Sequence, residues 1–146
     1  MNARDYMNWP FCHDLMALVI SDLYPGLVHG RDFMVAHPVD PETGGPGGDP
    51  FLVSWKPATT PKPTDDYIKS KFEADERRYR TLFVRAFRDE CLAWSDAKVT
   101  TPADAPATMK TSADVWRAYR QALRDIPAQS GFPFDIEWPD LPANGS

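Results

Sequence analysis

Cysteine is scarce in this 146-residue chain: Cys12 and Cys91 stand far apart with no CxxC. Neither a disulfide framework nor a zinc-binding spacing is therefore expected. An excess of positive charge is also lacking. Lys+Arg 16 against Asp+Glu 21 leave a net charge of −5 and a sequence pI near 5.1, whereas a nucleic-acid partner selects for a clustered positive surface. Long apolar runs are missing too. The longest, Leu15 to Ile20, falls far short of the roughly 20 residues that cross a bilayer, and it has neither the charged leader nor the small-residue cleavage site of a signal peptide. The expectation is a reduced, soluble, cytoplasmic protein with no nucleic-acid and no membrane partner.

Catalytic signatures are equally thin. His13, His29 and His37 lie in the first 40 residues but form neither HxxxH nor HExxH, and Cys12-His13 would point about 100° apart on a helix. Ser21, Ser54, Ser70, Ser95 and Ser112 sit in no GxSxG turn. Gly44-Gly45-Pro46-Gly47-Gly48 lacks the Lys-Ser/Thr of a phosphate loop, and its proline removes a needed N–H. Asp65-Asp66 and Asp89-Glu90 suit a helix start and a solvated face. A small hydrolase or a cytidine-type enzyme is thereby disfavoured, and no metal or cofactor is expected.

Proline is abundant instead. Pro 15 is about twice the usual share, and seven fall between Pro38 and Pro63, where they segment the chain. Before them, Asn8-Trp9-Pro10 reads as a helix start, and Phe11, Leu15, Leu18, Val19 and Leu23 keep helical spacing up to Pro25-Gly26. Residues 32–37 and 51–55 read as two strands joined by the loop 38–50, with Phe51, Val53 and Trp55 on one face. A helix-plus-hairpin unit over 1–56 results. Residues 57–63 form a stiff proline linker.

A long amphipathic helix is expected over 64–98, capped by Thr64, with Ile68, Phe72, Tyr79, Leu82, Phe83, Ala86, Phe87 and Trp94 on one side. After a polar connector, Ser112 can cap a final helix, Ala113 to Ile126. Its apolar side holds Val115, Trp116, Tyr119, Ala122, Leu123 and Ile126, and Arg117, Arg120 and Arg124 form a stripe opposite. That stripe is either solvated or a docking face for an acidic surface. The segment 99–146 closes with Phe132, Phe134, Ile136 and Trp138 in alternation, which either clasps the helices or docks on a partner. The fold class expected is α+β: a small helix-plus-hairpin unit, a long helix, a short C-terminal helix and an extended aromatic tail.

Four segments then carry a resemblance: residues 88–96 (RDECLAWSD), Asp104-Ala105-Pro106, residues 116–127 (WRAYRQALRDIP), and Gly131-Phe132-Pro133 followed by Ile136-Glu137-Trp138-Pro139. Over residues 85–142 this pattern resembles the C-terminal module of phage tail assembly chaperone and tail-fibre assembly proteins. More weakly, Leu23-Tyr24-Pro25-Gly26, Gly30-Arg31-Asp32-Phe33 and Val53-Ser54-Trp55 resemble XkdW-like phage tail proteins. The chain departs from many relatives at Ala97, where they carry Trp, and in its long 38–50 insert. The resemblance implies a non-enzymatic protein that binds tail-fibre or baseplate polypeptides during virion assembly. It would work in the host cytoplasm, or, as the alternative, stay in the virion tail as a structural adaptor; it leaves homo-oligomerisation open. Family-like positions are Trp116, Tyr119, Arg120, Leu123, Arg124, Phe132, Pro133, Trp138 and Pro139, and none has a chemical role in the pattern. Together with the arginine stripe and the aromatic row, they make Trp116, Tyr119, Arg117, Arg120, Arg124, Phe132, Phe134 and Trp138 the expected partner-binding residues.

Overall fold

The computed structural model describes residues 6–143 and is α+β, with a two-stranded antiparallel hairpin and helices before and after it. Its contacts divide the chain into two compact units, Met1–Phe83 and Val84–Ser146.

In the first unit, helix α1 (His13–Leu23) buries Leu15, Met16, Val19 and Ile20. It begins later than Asn8 would have it, because Tyr6 to Trp9 form a turn closed by Trp9 N–H donating to the Tyr6 carbonyl, and the chain bends at Pro10-Phe11. Cys12 stands at the N-cap, and its side chain makes no capping bond. The helix stops at Pro25-Gly26, where Gly26 takes φ +94°, a conformation that a side chain disfavours.

Strands β1 (Phe33–Ala36) and β2 (Phe51–Trp55) pair with a register shift between Met34 and Val35, so that Val35 faces Leu52 and Met34 faces Ser54. Val53 is the extra residue. This bulge corrects the expected face of β2: Leu52 is buried, and Phe51 and Val53 are exposed. One inserted residue reverses the alternation on either side of it. The edges of the hairpin are occupied by side chains. Leu52 N–H donates to Asp65 Oδ1 at 2.8 Å, Lys62 Nζ donates to the Leu52 carbonyl, and Val35 N–H donates to His29 Nε2. Such capping protects an edge against strand addition.

Thr64 caps α2 (Asp65–Ala74), its Oγ1 accepting from Tyr67 N–H at 3.2 Å. The stretch expected as one helix breaks at Asp75 (φ −141°, ψ 40°), and α3 (Glu76–Ser95) follows. The Asp75 carbonyl accepts from both Arg78 and Tyr79 N–H. A phase counted at 100° per residue from Ile68 does not carry past such a break. Beyond it Tyr79, Arg80 and Val84 are buried, while Leu82 is 41% exposed. Ile68, Phe72 and Tyr79 complete the core of α1 and the hairpin, with Phe11 stacked on Phe72 at 4.7 Å. The packed core thus extends well beyond residue 56.

Two polar clamps hold this unit. Arg78 forms a two-pronged pair with Asp22 at 2.7 and 3.0 Å, and Tyr79 Oη donates to the same carboxylate. Hydrogen bonds from Arg78 and then Tyr79 hold the Asp22 pKa down to about 2. Arg80 is 5% exposed; it bonds Glu76 at 2.6 Å and donates to the Trp9 and Pro10 carbonyls.

All three histidines fall in this unit. His13 Nδ1 lies 2.6 Å from Tyr6 Oη, which also donates to Asp14 Oδ2, and the His13 and His37 ring centres are 5.2 Å apart. Burial lowers the His13 pKa from 6.5; the Asp14 charge opposes this, and His37 and His29 reinforce it. As pH falls, the unfolded chain therefore binds this proton before the folded chain does. The stabilisation is complete above pH 6.5 and declines below it. Thermal melts are expected to show Tm falling as pH drops below about 6.5, with His13→Gln flattening that part of the profile. An unchanged slope in the variant would show that other groups govern it.

The second unit contains the remainder of α3, a 3₁₀ turn (Asp96–Lys98), α4 (Ala107–Asp125), a second 3₁₀ turn (Ile126–Ala128) and the tail. Helix α4 starts earlier than expected, with Pro106 rather than Ser112 at its N-cap. The Pro106 carbonyl accepts from Met109 and Lys110 N–H, and Thr111 Oγ1 donates back to the Ala107 carbonyl. Good helix formers at Ala107, Met109 and Lys110 extend it backwards to the proline. Its buried line is Ala113, Trp116, Tyr119 and Leu123, continued by Ile126. Val115 is 50% exposed, so the apolar side is narrower than expected.

Candidate partner-binding surface

The expected site residues all fall in the C-terminal unit, where their surroundings differ. Arg120 is a structural residue. Its guanidinium donates to the Leu92 carbonyl and to Ser95 Oγ at 2.9 Å, and pairs with Asp96 at 2.6 Å. Its side chain is 11% exposed. It therefore ties α4 to the end of α3 through one backbone carbonyl and two side-chain oxygens. This corrects the arginine stripe as a single solvent-facing row: Arg117 pairs with Asp114 and donates to the Val99 carbonyl, Arg124 is exposed, and Arg120 points inward.

The aromatic row divides as well. Ile136 and Trp138 are buried, Phe132 is half-buried, and Phe134 is 40% exposed. Residues 131–135 make a turn, so strict alternation begins only at Ile136. In that turn the Gly131 carbonyl accepts from Phe134 and Asp135 N–H. A Cβ at Gly131 would lie 2.2 Å from the Asp135 carbonyl oxygen. Gly131→Ala is thus expected to lower stability by about 1–3 kcal/mol, read as a reduced urea midpoint; an unchanged midpoint would mean the turn opens freely. Beyond the turn, Gln129 holds Glu137 like a short strand: its Nε2 donates to the Glu137 carbonyl and its Oε1 accepts from Glu137 N–H, both at 2.9 Å. Trp138 then packs edge-on against Phe87, ring centres 5.0 Å apart.

Around Trp116 the surface opens. Its ring meets Trp94 at 5.5 Å and Tyr119 at 5.6 Å, both edge-on. Trp116 and Tyr119 are buried, whereas Trp94 is 56% exposed. Burial, with smaller contributions from Cys91, pushes the Tyr119 hydroxyl up to about 12, so it stays protonated. Trp116 and Ser112 are shared by two open clefts of about 430 and 420 Å³. Lys98 and Met109 flank the first, and Val115 and Pro142 the second. Lys98 Nζ stands over both indoles, 5.9 Å from Trp94 and 5.8 Å from Trp116. Among the described residues no group of three or more His, Cys, Asp or Glu could hold a metal ion, and no helix is long and apolar enough to cross a membrane.

This unit coincides with a family match. Residues 82–143 match the phage tail assembly chaperone protein family. Residues 16–80 match the XkdW protein family, so each match falls almost wholly on one packed unit. No curated protein and no solved structure matches the chain. The chaperone match supports a role in phage tail assembly, and that family is in general non-catalytic. Within the chaperone-like segment, sequence reasoning missed Trp94 and Lys98 as surface groups. The signal was an apolar side on α4 wider than burial needs, since Val115 and Trp116 are neighbours and cannot both face inward.

Proposed function

We propose that this chain is a non-enzymatic tail assembly chaperone that binds a tail-fibre or baseplate polypeptide in the host cytoplasm during virion assembly. One observation carries the reading: the chaperone-like unit leaves Trp94 more than half exposed beside two open clefts, with Met109 and Val115 on their walls. Exposed aromatic and methionine side chains around a shallow pocket suit a peptide segment better than a reaction. Of the expected site residues, Trp116 lies at this surface with Tyr119 against it, Arg117, Arg124 and Phe134 remain accessible to a partner, Phe132 is half-buried, and Arg120 and Trp138 serve the packing of the unit.

The test is affinity purification of the tagged full chain from infected cells, with mass spectrometry of what it retains. A tail-fibre or baseplate polypeptide is expected in the eluate and lost with Trp94→Glu, and the chain is expected to be missing from finished particles. No tail polypeptide above an unrelated control would overturn the reading, and stoichiometric presence in particles would replace the chaperone with a resident adaptor.

A further inference from the structure

We infer that the paired clefts at Trp116 take a polypeptide segment in which an apolar side chain is flanked by carboxylates, with Lys98 as the charge-reading residue. The inference rests on the chaperone reading and names the chemistry of the segment held.

Charge complementarity decides the occupant. The chain carries Asp+Glu 21 and a net charge of −5, yet neither cleft has a carboxylate on its wall. Of the carboxylates close in sequence, Asp96 is committed to Arg120 and Asp114 to Arg117, while Asp104 and Asp140 line neither cleft. Lys98 is different. Among the described residues it has no carboxylate partner, and its ammonium stands over the Trp94 and Trp116 rings. Two indole faces hold a cation in place without neutralising it. The first cleft adds the hydroxyl-bearing residues Thr100, Thr101 and Ser112, which can donate to an anionic oxygen. Met109, Val115 and Pro142 supply apolar walls on either side of Trp116. An aromatic floor, apolar walls and one un-neutralised cation match an apolar residue with an acidic neighbour. A basic segment would meet Lys98 with repulsion and find no acid on either wall.

The experiment uses the purified full chain, labelled with ¹⁵N, and two capped peptides of seven residues. One has a leucine between two aspartates; in the other, lysines replace the aspartates. The acidic peptide is expected to shift the indole N–H signals of Trp94 and Trp116 and to bind about tenfold more tightly than the basic one. The preference should shrink at high salt. Lys98→Glu should reverse it, and Lys98→Met should abolish it while leaving the leucine contact. Lys98 is exposed, and circular dichroism of both variants checks that the fold is kept. Equal binding of the two peptides, a preference unmoved by Lys98→Glu, or no shift at either indole would each overturn the inference. If the peptides fail while the full chain still retains a tail polypeptide from infected cells, the cleft assignment falls and the chaperone reading stands. If the acidic peptide binds as expected but no tail polypeptide is retained, the reverse holds.

Discussion

Replacing Trp138 with alanine is expected to destabilise the protein by about 3–5 kcal/mol, the range for removing a buried large aromatic side chain. Trp138 is 7% exposed and packs edge-on against Phe87. Truncation would leave a void where the tail returns to the fold. The Gln129 clamp on Glu137 would then hold a segment with little apolar anchor beyond Ile136. Calorimetry should show Tm lower by more than about 10 °C. Trp138→Phe sharpens the test. Trp138 Nε1 is buried with no hydrogen-bond partner among the described residues, and an unpaired buried donor is itself unfavourable by about 1–3 kcal/mol. Phenylalanine removes that donor and keeps most of the ring, so its loss should be much smaller than that of alanine. If Trp138 instead served mainly to dock on a partner, both variants would melt like the parent and lose binding.

Arg120→Ala is expected to lower stability by about 2–3 kcal/mol, because it strips a charged donor from buried acceptors. Three partners lose it at once: the Leu92 carbonyl, Ser95 Oγ and the Asp96 carboxylate. Ser95 is fully buried and keeps only its own donation to the Cys91 and Leu92 carbonyls. Arg120→Lys should recover little, since one ammonium cannot reproduce the fork that reaches all three groups. Arg124→Ala, at an exposed position of the same helix, should leave the denaturation midpoint nearly unchanged. Were Arg120 part of a solvated docking face, the two alanine variants would have equal midpoints.

How far the sequence could be read depended on whether a feature is local. Thr64 as a cap, Pro25-Gly26 as a stop and the hairpin segments 33–36 and 51–55 all follow from properties of a few adjacent residues, and all are present. The break at Asp75 was not legible. Ala74-Asp75-Glu76 contains no proline or glycine, and the anchors around the break are remote: Arg78 and Tyr79 are tied to Asp22 more than fifty residues earlier. The bulge at Val53 was hidden for a similar reason, because its cause is the fit of Leu52 and Trp55 to a core built from other segments. At the candidate surface, Trp116 was picked out by sequence, but Trp94 was assigned to an inward stripe whose phase the break had already shifted.

The amino-acid order alone determined the class of molecule: helices and a hairpin, segmented by prolines, with a C-terminal pattern similar to that of phage tail assembly chaperones. These depend on spacing, capping and composition, which act over a few residues. Tertiary structure alone decided which of several equally apolar or equally charged side chains are used inside and which are left outside. It turned Arg120 inward and left Arg124 in solvent, and it buried Trp138 while exposing Trp94. The physical reason is that burial is a property of the neighbours that a side chain meets. Two arginines four positions apart on α4 differ because the Leu92 carbonyl, the Ser95 hydroxyl and the Asp96 carboxylate lie beside one of them.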